Sequence, residues 1–300
     1  MNKKIALAVS ALAAFALVGT SACSSDDKDP ATSTAATTAT TDAAPALKVV
    51  GAPFTTELYG VGLPLDSSLC EQVNTAIADM VADGTWLAKL NGQMEGVLYT
   101  PNPETNPPKD FEVCDNKAGT FTTASSDTIK IGIKFDQPHL GFKEGSTYTG
   151  FDVDVATYVA GKLGFTPDKI EWVEAPSKSR ETLLENHQVD IIFATYSITD
   201  ARKEKVEFAG PYFVAGQDLL VRGDDDRITG PESLNESDYK LCSVTGSTPA
   251  QKIKDTYAAD VELVEVTGYG ECITALIAGR VDAVTTDDII LAGLAAAGVR

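Results

Sequence analysis

Histidine, tryptophan and methionine are scarce in this chain, with two, two and three copies among 300 residues. His139 and His187 are too few and too far apart to build a multi-histidine metal centre. There is no HExxH, no GxSxG and no glycine loop ending in Gly-Lys-Ser/Thr, which removes the usual starting points for metal-assisted hydrolysis, acyl transfer and nucleotide binding. Basic residues are short as well, 24 Lys and Arg against 43 Asp and Glu. So acidic a chain is a poor partner for nucleic acid, although a pocket's local field can still favour a small anion. Long apolar runs are missing apart from "IALAVSALAAFALV" near the start, which is short for a membrane span.

That run follows the basic "MNKK" and precedes small residues, so residues 1–22 read as an export leader. The small residues "GTSA" immediately before Cys23 resemble a bacterial lipoprotein signal, with Thr20 where Leu is usual. This implies lipidation of Cys23 and anchoring to the outer face of the cell membrane. An ordinary leader with Cys23 otherwise employed is the alternative. Loss of Lys3 and Lys4 with the leader takes the formal charge from -19 to about -21. Four further cysteines in an oxidising compartment favour two disulfides, expected as Cys70–Cys114 and Cys242–Cys272, with metal binding the weaker reading.

Residues 23–46 are rich in Ala, Thr, Ser and Asp and lack the apolar content for a core, so they read as a disordered stalk. From 47 onward, short strand-like runs alternate with amphipathic helices. "DSSLCEQVNTAIADMVADG" predicts a helix with a Ser or Asp cap, an apolar face and a stop at Gly84. A loop spans about 102–127, and further βα units follow to the end. The alternation predicts largely parallel α/β sheets in two lobes with a cleft between them.

Two helix starts stand out. Ser177 is followed three places on by Arg180, and Thr199 by Arg202, whereas that third position ordinarily favours Glu or Gln. An arginine there opposes the helix dipole unless an anion sits at the helix end. Two such sites suit two carboxylates, although each arginine can instead face water or pair with Glu181 or Glu204. Asp287 and Asp288, ending "VDAVTTDD", can receive an ammonium group or simply cap a helix. Gly246, Ser247 and Thr248 form another strand-to-helix turn suited to carboxylate oxygens.

Together "GIKFDQP", "GFDVDVA", "SKSRETLL", "ATYSITDARKEKVEFAGPY", "GSTPAQ" and "VDAVTTDDIILAG" resemble the extracytoplasmic solute-binding proteins of polar amino acid ABC importers, especially actinobacterial glutamate-binding lipoproteins. The resemblance implies an α/β, two-lobed periplasmic-binding-protein-like fold (type II), acting as a monomer with an ABC permease and without metal or cofactor. It implies that Arg202 clamps the ligand α-carboxylate with Thr195, Ser197, Ser247 and Thr248, and that Asp287 takes the α-ammonium. Ser177 and Arg180 then receive the side-chain carboxylate, Lys134 adds a cation, Asp136 lies at the cleft edge, and Tyr269 falls where some relatives place a polar ring.

The order departs from the family. The segment "LKVVGAPFTTELYGVGLPLDSSLCEQVNTAIADMVADGTW" closes typical members, and here it stands in front, as in a circular permutant. The expected division is lobe 1 at 57–215 and lobe 2 at 47–56 plus 216–300, with crossings near 54–58 and 213–217. The expected function is capture of an acidic or polar amino acid, L-glutamate first, for a permease. A sensor coupled to a signalling partner is the rival. A dehydratase on the same fold is another, with Glu207, Glu271 or Asp136 as candidate proton donors.

Overall fold

The computed structural model describes residues 46–112, 114 and 119–298. The leader, Cys23 and most of the stalk lie outside the described residues.

The described residues open with β1 (Leu47–Val50), β2 (Glu57–Leu63), α1 (Cys70–Ala82) and α2 (Thr85–Gln93), followed by the long loop. There follow β3 (Ile129–Ile133), a small meander of β4 (Asp136–Gln137), β5 (Gly141–Glu144) and β6 (Thr147–Thr149), α3 (Phe151–Lys162), β7 (Ile170–Glu174), α4 (Arg180–Glu185), β8 (Ile191–Ser197), α5 (Asp200–Lys203) and β9 (Glu207–Ala215). The remainder is β10 (Gln217–Arg222), β11 (Lys240–Val244), α6 (Thr248–Lys252), β12 (Glu262–Val266), α7 (Tyr269–Ile277), β13 (Ala283–Asp287) and α8 (Asp288–Gly298).

These strands make two five-stranded sheets within a single compact unit, in the orders β7-β3-β8-β2-β9 and β1-β10-β13-β11-β12. The parallel expectation is half met. The βαβ units pair in parallel, β7 with β3 with β8 and β12 with β11 with β13. One strand in each sheet, β2 or β10, runs antiparallel to these, and the edge strand beyond it, β9 or β1, again runs in their direction. Each sheet therefore changes from parallel to antiparallel at its central strand, β8 or β13. In α/β sheets ligands gather outside the carboxyl ends of the strands.

The two opening strands find their partners late in the chain. β1 pairs with β10, Leu47 opposite Arg222, and β2 inserts between β8 and β9. Between them the backbone crosses from one sheet to the other beside the β9–β10 crossing at Gly216. Phe54 N–H donates to Gln217 O (3.0 Å), and Gln217 N–H donates to Thr55 Oγ1 (3.0 Å). A Cβ on Gly216 would stand 2.5 Å from Pro53 Cβ, so the two crossing strands approach closely only because residue 216 is glycine.

Local sequence explains the elements around this frame. All seven residues of β8, "IIFATYS", are buried, as a central strand covered on both faces requires. In α1, Val73, Ala76, Ile77 and Met80 recur at helical spacing and are buried. The expected Ser or Asp cap is not used there: the cap position is Leu69, because Ser67 Oγ accepts the Leu69 N–H before the helix begins. Gly84, at φ +80°, ends the helix and starts α2, which the sequence reading left unassigned.

The long loop lies along the outer edge of β9. Asn106 imitates a neighbouring strand, accepting the Val214 N–H (3.0 Å) and donating to Val214 O (2.8 Å), and Glu112 N–H donates to Gly210 O. An edge that would otherwise offer free backbone groups is thereby covered. Both expected disulfides are formed: Cys70–Cys114 ties this loop to α1, and Cys242–Cys272 ties β11 to α7. The first closes a separation of 44 residues. Replacing Cys70 and Cys114 by serine is expected to lower unfolding free energy by about 4 kcal/mol, chiefly by freeing the unfolded chain. Urea titration of the non-reduced protein measures this, and an unchanged midpoint contradicts it.

Candidate functional site

The carboxyl ends of the two central strands, Ser197 and Asp287, lie on either side of the boundary between the sheets. Register fixes this: Tyr59 pairs with Ser197 in one sheet, Gln217 with Asp287 in the other, and Tyr59 Oη donates to Asp287 Oδ2 across 2.7 Å.

Arg202 is placed by a short helix. Thr199 caps α5 as expected, its Oγ1 accepting the Arg202 N–H, and the side chain turns back over β8. Its Nη1 donates to Ser197 O (2.7 Å), its Nη2 to Gly246 O in the other lobe (3.0 Å), and its Nε lies 3.3 Å from Glu181 Oε1. The Glu181 pairing weighed from sequence is thus present for Arg202.

Arg180 is held differently, and the expected Ser177 cap does not form. Residues 177–179 make a tight 3-10 turn, so the residue before α4 is Ser179, with no capping side-chain bond, and it is the backbone carbonyl of Ser177 that accepts from Arg180 Nε. Nη1 donates to Ala194 O (3.0 Å), and Nη2 makes a long bond to Gly246 O (3.5 Å). Among the described residues no carboxylate comes within 4 Å of this guanidinium. Burial, then the nearby Arg202 charge, pushes Arg180 down to about 10. Both arginines lie against the ring of Tyr196, at 4.1 and 4.9 Å from its centre. A buried cation satisfied only by carbonyl dipoles and a π face retains charge that an anion could compensate.

Lys134 adds a third charge. It is fully buried, 3.1 Å from Asp136 Oδ1 and 5.7 Å from the centre of the Tyr269 ring, yet Nζ makes no hydrogen bond. Burial lowers its pKa, with the Asp136 charge opposing. Asp136 bridges the lobes by accepting the Tyr269 N–H (2.9 Å), and Tyr269 Oη accepts from Thr286 Oγ1 (2.7 Å).

The two adjacent acids part company. Asp288 serves the hinge and helix, accepting from Ile289 N (2.7 Å), Gly216 N and Tyr99 Oη. Asp287 is buried with Oδ1 unpartnered, and burial first, then the nearby Glu57 charge, raises its pKa well above the carboxylate range. A cation brought to an oxygen so placed would favour the ionised form.

The structure brings Ser197 and Thr248 together across the lobes (3.1 Å), and Thr248 also donates to Glu57 Oε2 (3.2 Å). Ser247 Oγ lies 3.4 Å from Ser243 Oγ at the base of the same turn. The Thr195 hydroxyl exchanges hydrogen bonds with Gln137 and reaches Ala194 O. Of the proton-donor candidates, Glu271 is held by Thr267 at the rim, and Glu207 lies at the end of β9 remote from the hinge.

Sequence reasoning missed Glu57, Tyr59, Tyr196 and Lys252. Glu57 is buried at the head of β2 and pairs with Lys252 on α6, joining the lobes. A charged residue opening an otherwise apolar strand, "ELYGVGL", was the available signal.

Several buried acids also give the fold a pH dependence. Burial raises Asp152 to about 6 and Asp218 to about 6. The folded chain therefore holds protons that the unfolded chain has already released between about pH 4 and 6. The associated stability is complete below the unfolded value and is lost as pH rises through 6. The protein is expected to be more stable at pH 5 than at pH 7.5, by about 1 kcal/mol from Asp152 alone. Chemical denaturation at the two pH values, with Asp152→Asn flattening the difference, checks this; greater stability at pH 7.5 contradicts it.

The family described as "Bacterial extracellular solute-binding proteins, family 3" matches residues 129–246. The chain is 48% identical over 182 residues to the glutamate-binding protein GluB of Corynebacterium efficiens, covering 59% of this chain and 61% of that one, so it spans about three fifths of that relative's length. To the glutamine-binding protein of Geobacillus stearothermophilus it is 37% identical over 192 residues, covering 60% of this chain and 72% of that protein. Among solved structures, the ancestral amino acid-binding protein AncCDT-1, a precursor of cyclohexadienyl dehydratase, superposes with a TM-score of 0.53 at 31% identity, over 56% of this chain and 74% of that one. The two-lobed fold is that of the type II amino acid-binding proteins. The chain belongs to the bacterial extracellular solute-binding proteins of family 3.

Proposed function

We propose that this protein captures an acidic amino acid, L-glutamate first, between its two lobes and delivers it to the permease of an ABC importer. One observation carries the reading: Arg180 is a buried cation whose hydrogen bonds all go to backbone carbonyls, with Arg202 and Lys134 beside it. Arg202, supported by Ser197, Ser247 and Thr248, takes the α-carboxylate. Asp287 takes the α-ammonium on its free oxygen, and Arg180, with Ser177 and Lys134, takes the side-chain carboxylate. Asp136 and Tyr269 close the rim. A neutral side-chain amide would leave the cations uncompensated. Similarity to a glutamate-binding protein supports the same ligand class.

Bonds between the lobes, Glu57 to Lys252 and Asp136 to Tyr269, favour the closed arrangement, and a ligand that touches both lobes favours it further. The protein is not an enzyme in this reading, needs no cofactor, acts as a monomer and is tethered by lipid on Cys23 to the outer face of the cell membrane. Its order is permuted, with residues 47–91 standing where relatives have their closing segment. The pairing of β1 with β10 and of β2 with β8 and β9 supports this.

The test of the transport role is deletion of the gene. High-affinity uptake of labelled glutamate is expected to disappear and to return with the intact chain. Unchanged uptake with an altered response to glutamate favours the sensor.

A further inference from the structure

Thr195 has a backbone that its residue type resists. Its φ is +43°, in the left-handed region, where a β-branched side chain is an outlier. The cause lies beneath it. The Thr195 N–H donates to Asp152 Oδ2 (2.9 Å) and to Tyr212 Oη (3.1 Å), while Tyr212 Oη donates to Asp152 Oδ1 (2.9 Å). Asp152, in the first turn of α3, is fully buried. The consequence lies on the other side of the turn: the Ala194 carbonyl receives Arg180 Nη1 (3.0 Å) and Thr195 Oγ1 (2.8 Å).

We propose that Asp152 is a positioning residue for side-chain selectivity, holding Thr195 in its left-handed turn so that the Ala194 carbonyl fixes the Arg180 guanidinium. This rests on the reading of Arg180 as the side-chain carboxylate site. Asp152 acts through the backbone. Without the Asp152 carboxylate, which accepts from the Thr195 N–H and also fixes the second acceptor, Tyr212 Oη, Thr195 relaxes to an ordinary strand conformation, the carbonyl swings away, and Arg180 loses a support that keeps its donors in place. Glycine at 195 needs no such support, since it adopts positive φ freely.

The experiment measures glutamate and glutamine affinities of the intact protein carrying Asp152→Ala, Thr195→Gly, both together, or Asp152→Asn. Asp152→Ala alone is expected to reduce the preference for glutamate over glutamine on the order of tenfold, as loss of a charge-assisted hydrogen bond would. In the Thr195→Gly background it is expected to cause no comparable loss, which is the coupling a double-mutant cycle detects. Asp152→Asn retains an acceptor for the Thr195 N–H and is expected to keep the preference. A purely structural role would lower both affinities alike.

If Asp152→Ala does not fold, Tyr212→Phe, which removes the other acceptor, is expected to shift the preference in the same direction. An unchanged ratio in either variant overturns the inference, as does an equal loss in Asp152→Asn. Failure of the unsubstituted protein to bind either amino acid counts against the receptor reading itself, and is thereby distinguished.

Discussion

Arg202→Ala is expected to abolish high-affinity binding of glutamate, glutamine and aspartate alike, with Kd rising on the order of a thousandfold. The size follows from what the guanidinium does. It is the charge fixed between the end of β8 and the Gly246 carbonyl of the opposite lobe, where an α-carboxylate would be removed from water. Removing one member of a buried charge pair costs about 3–5 kcal/mol, because the other is left without compensation. All amino acids share the α-carboxylate, so the loss does not depend on the side chain. Glu181, the partner of Arg202 Nε, is only partly buried and returns to water, so the fold should survive. Titration of the variant with each amino acid, alongside circular dichroism, measures this. Retained affinity for any of them contradicts the α-carboxylate assignment.

Arg180→Ala has the second largest effect, confined to one ligand class. Glutamate affinity is expected to fall on the order of a hundredfold, while glutamine affinity changes little, so discrimination collapses. Arg180 already sits in an unfavourable field, pushed down to about 10 by burial and by Arg202. Deleting it relieves that repulsion, and the loss therefore appears in binding rather than in folding. Only an anionic side chain compensates the buried charge, which is why the amide loses little. Equal losses for the two ligands would place the side-chain carboxylate elsewhere.

Much of this site was legible because its parts are local. The arginines follow Ser177 and Thr199 at a spacing that is odd for a helix start, and Asp287 closes a β-strand just before a helix; each anomaly is visible within a few residues. The βα alternation gave the two sheets for the same reason. What failed depended on distance or on competing local bonds. The 3-10 turn at 177–179 moved Ser177 out of the cap position. The bonds of the Thr195 hydroxyl to Gln137, 58 residues away, were equally out of reach of a local pattern. Glu57 gains its meaning only from Lys252, 195 residues later, and no short-range pattern carries that. The antiparallel pairings in each sheet were missed because β2 and β10 run against the βαβ strands, which a pattern of alternating elements does not encode.

The central claim is that a cleft carrying Arg180, Arg202 and Asp287 binds an acidic amino acid. Isothermal titration of residues 24–300 with L-glutamate, L-aspartate and L-glutamine in turn tests it most directly. The account predicts tight binding led by glutamate. A folded sample that gives no heat with any of the three, or that prefers glutamine, contradicts it.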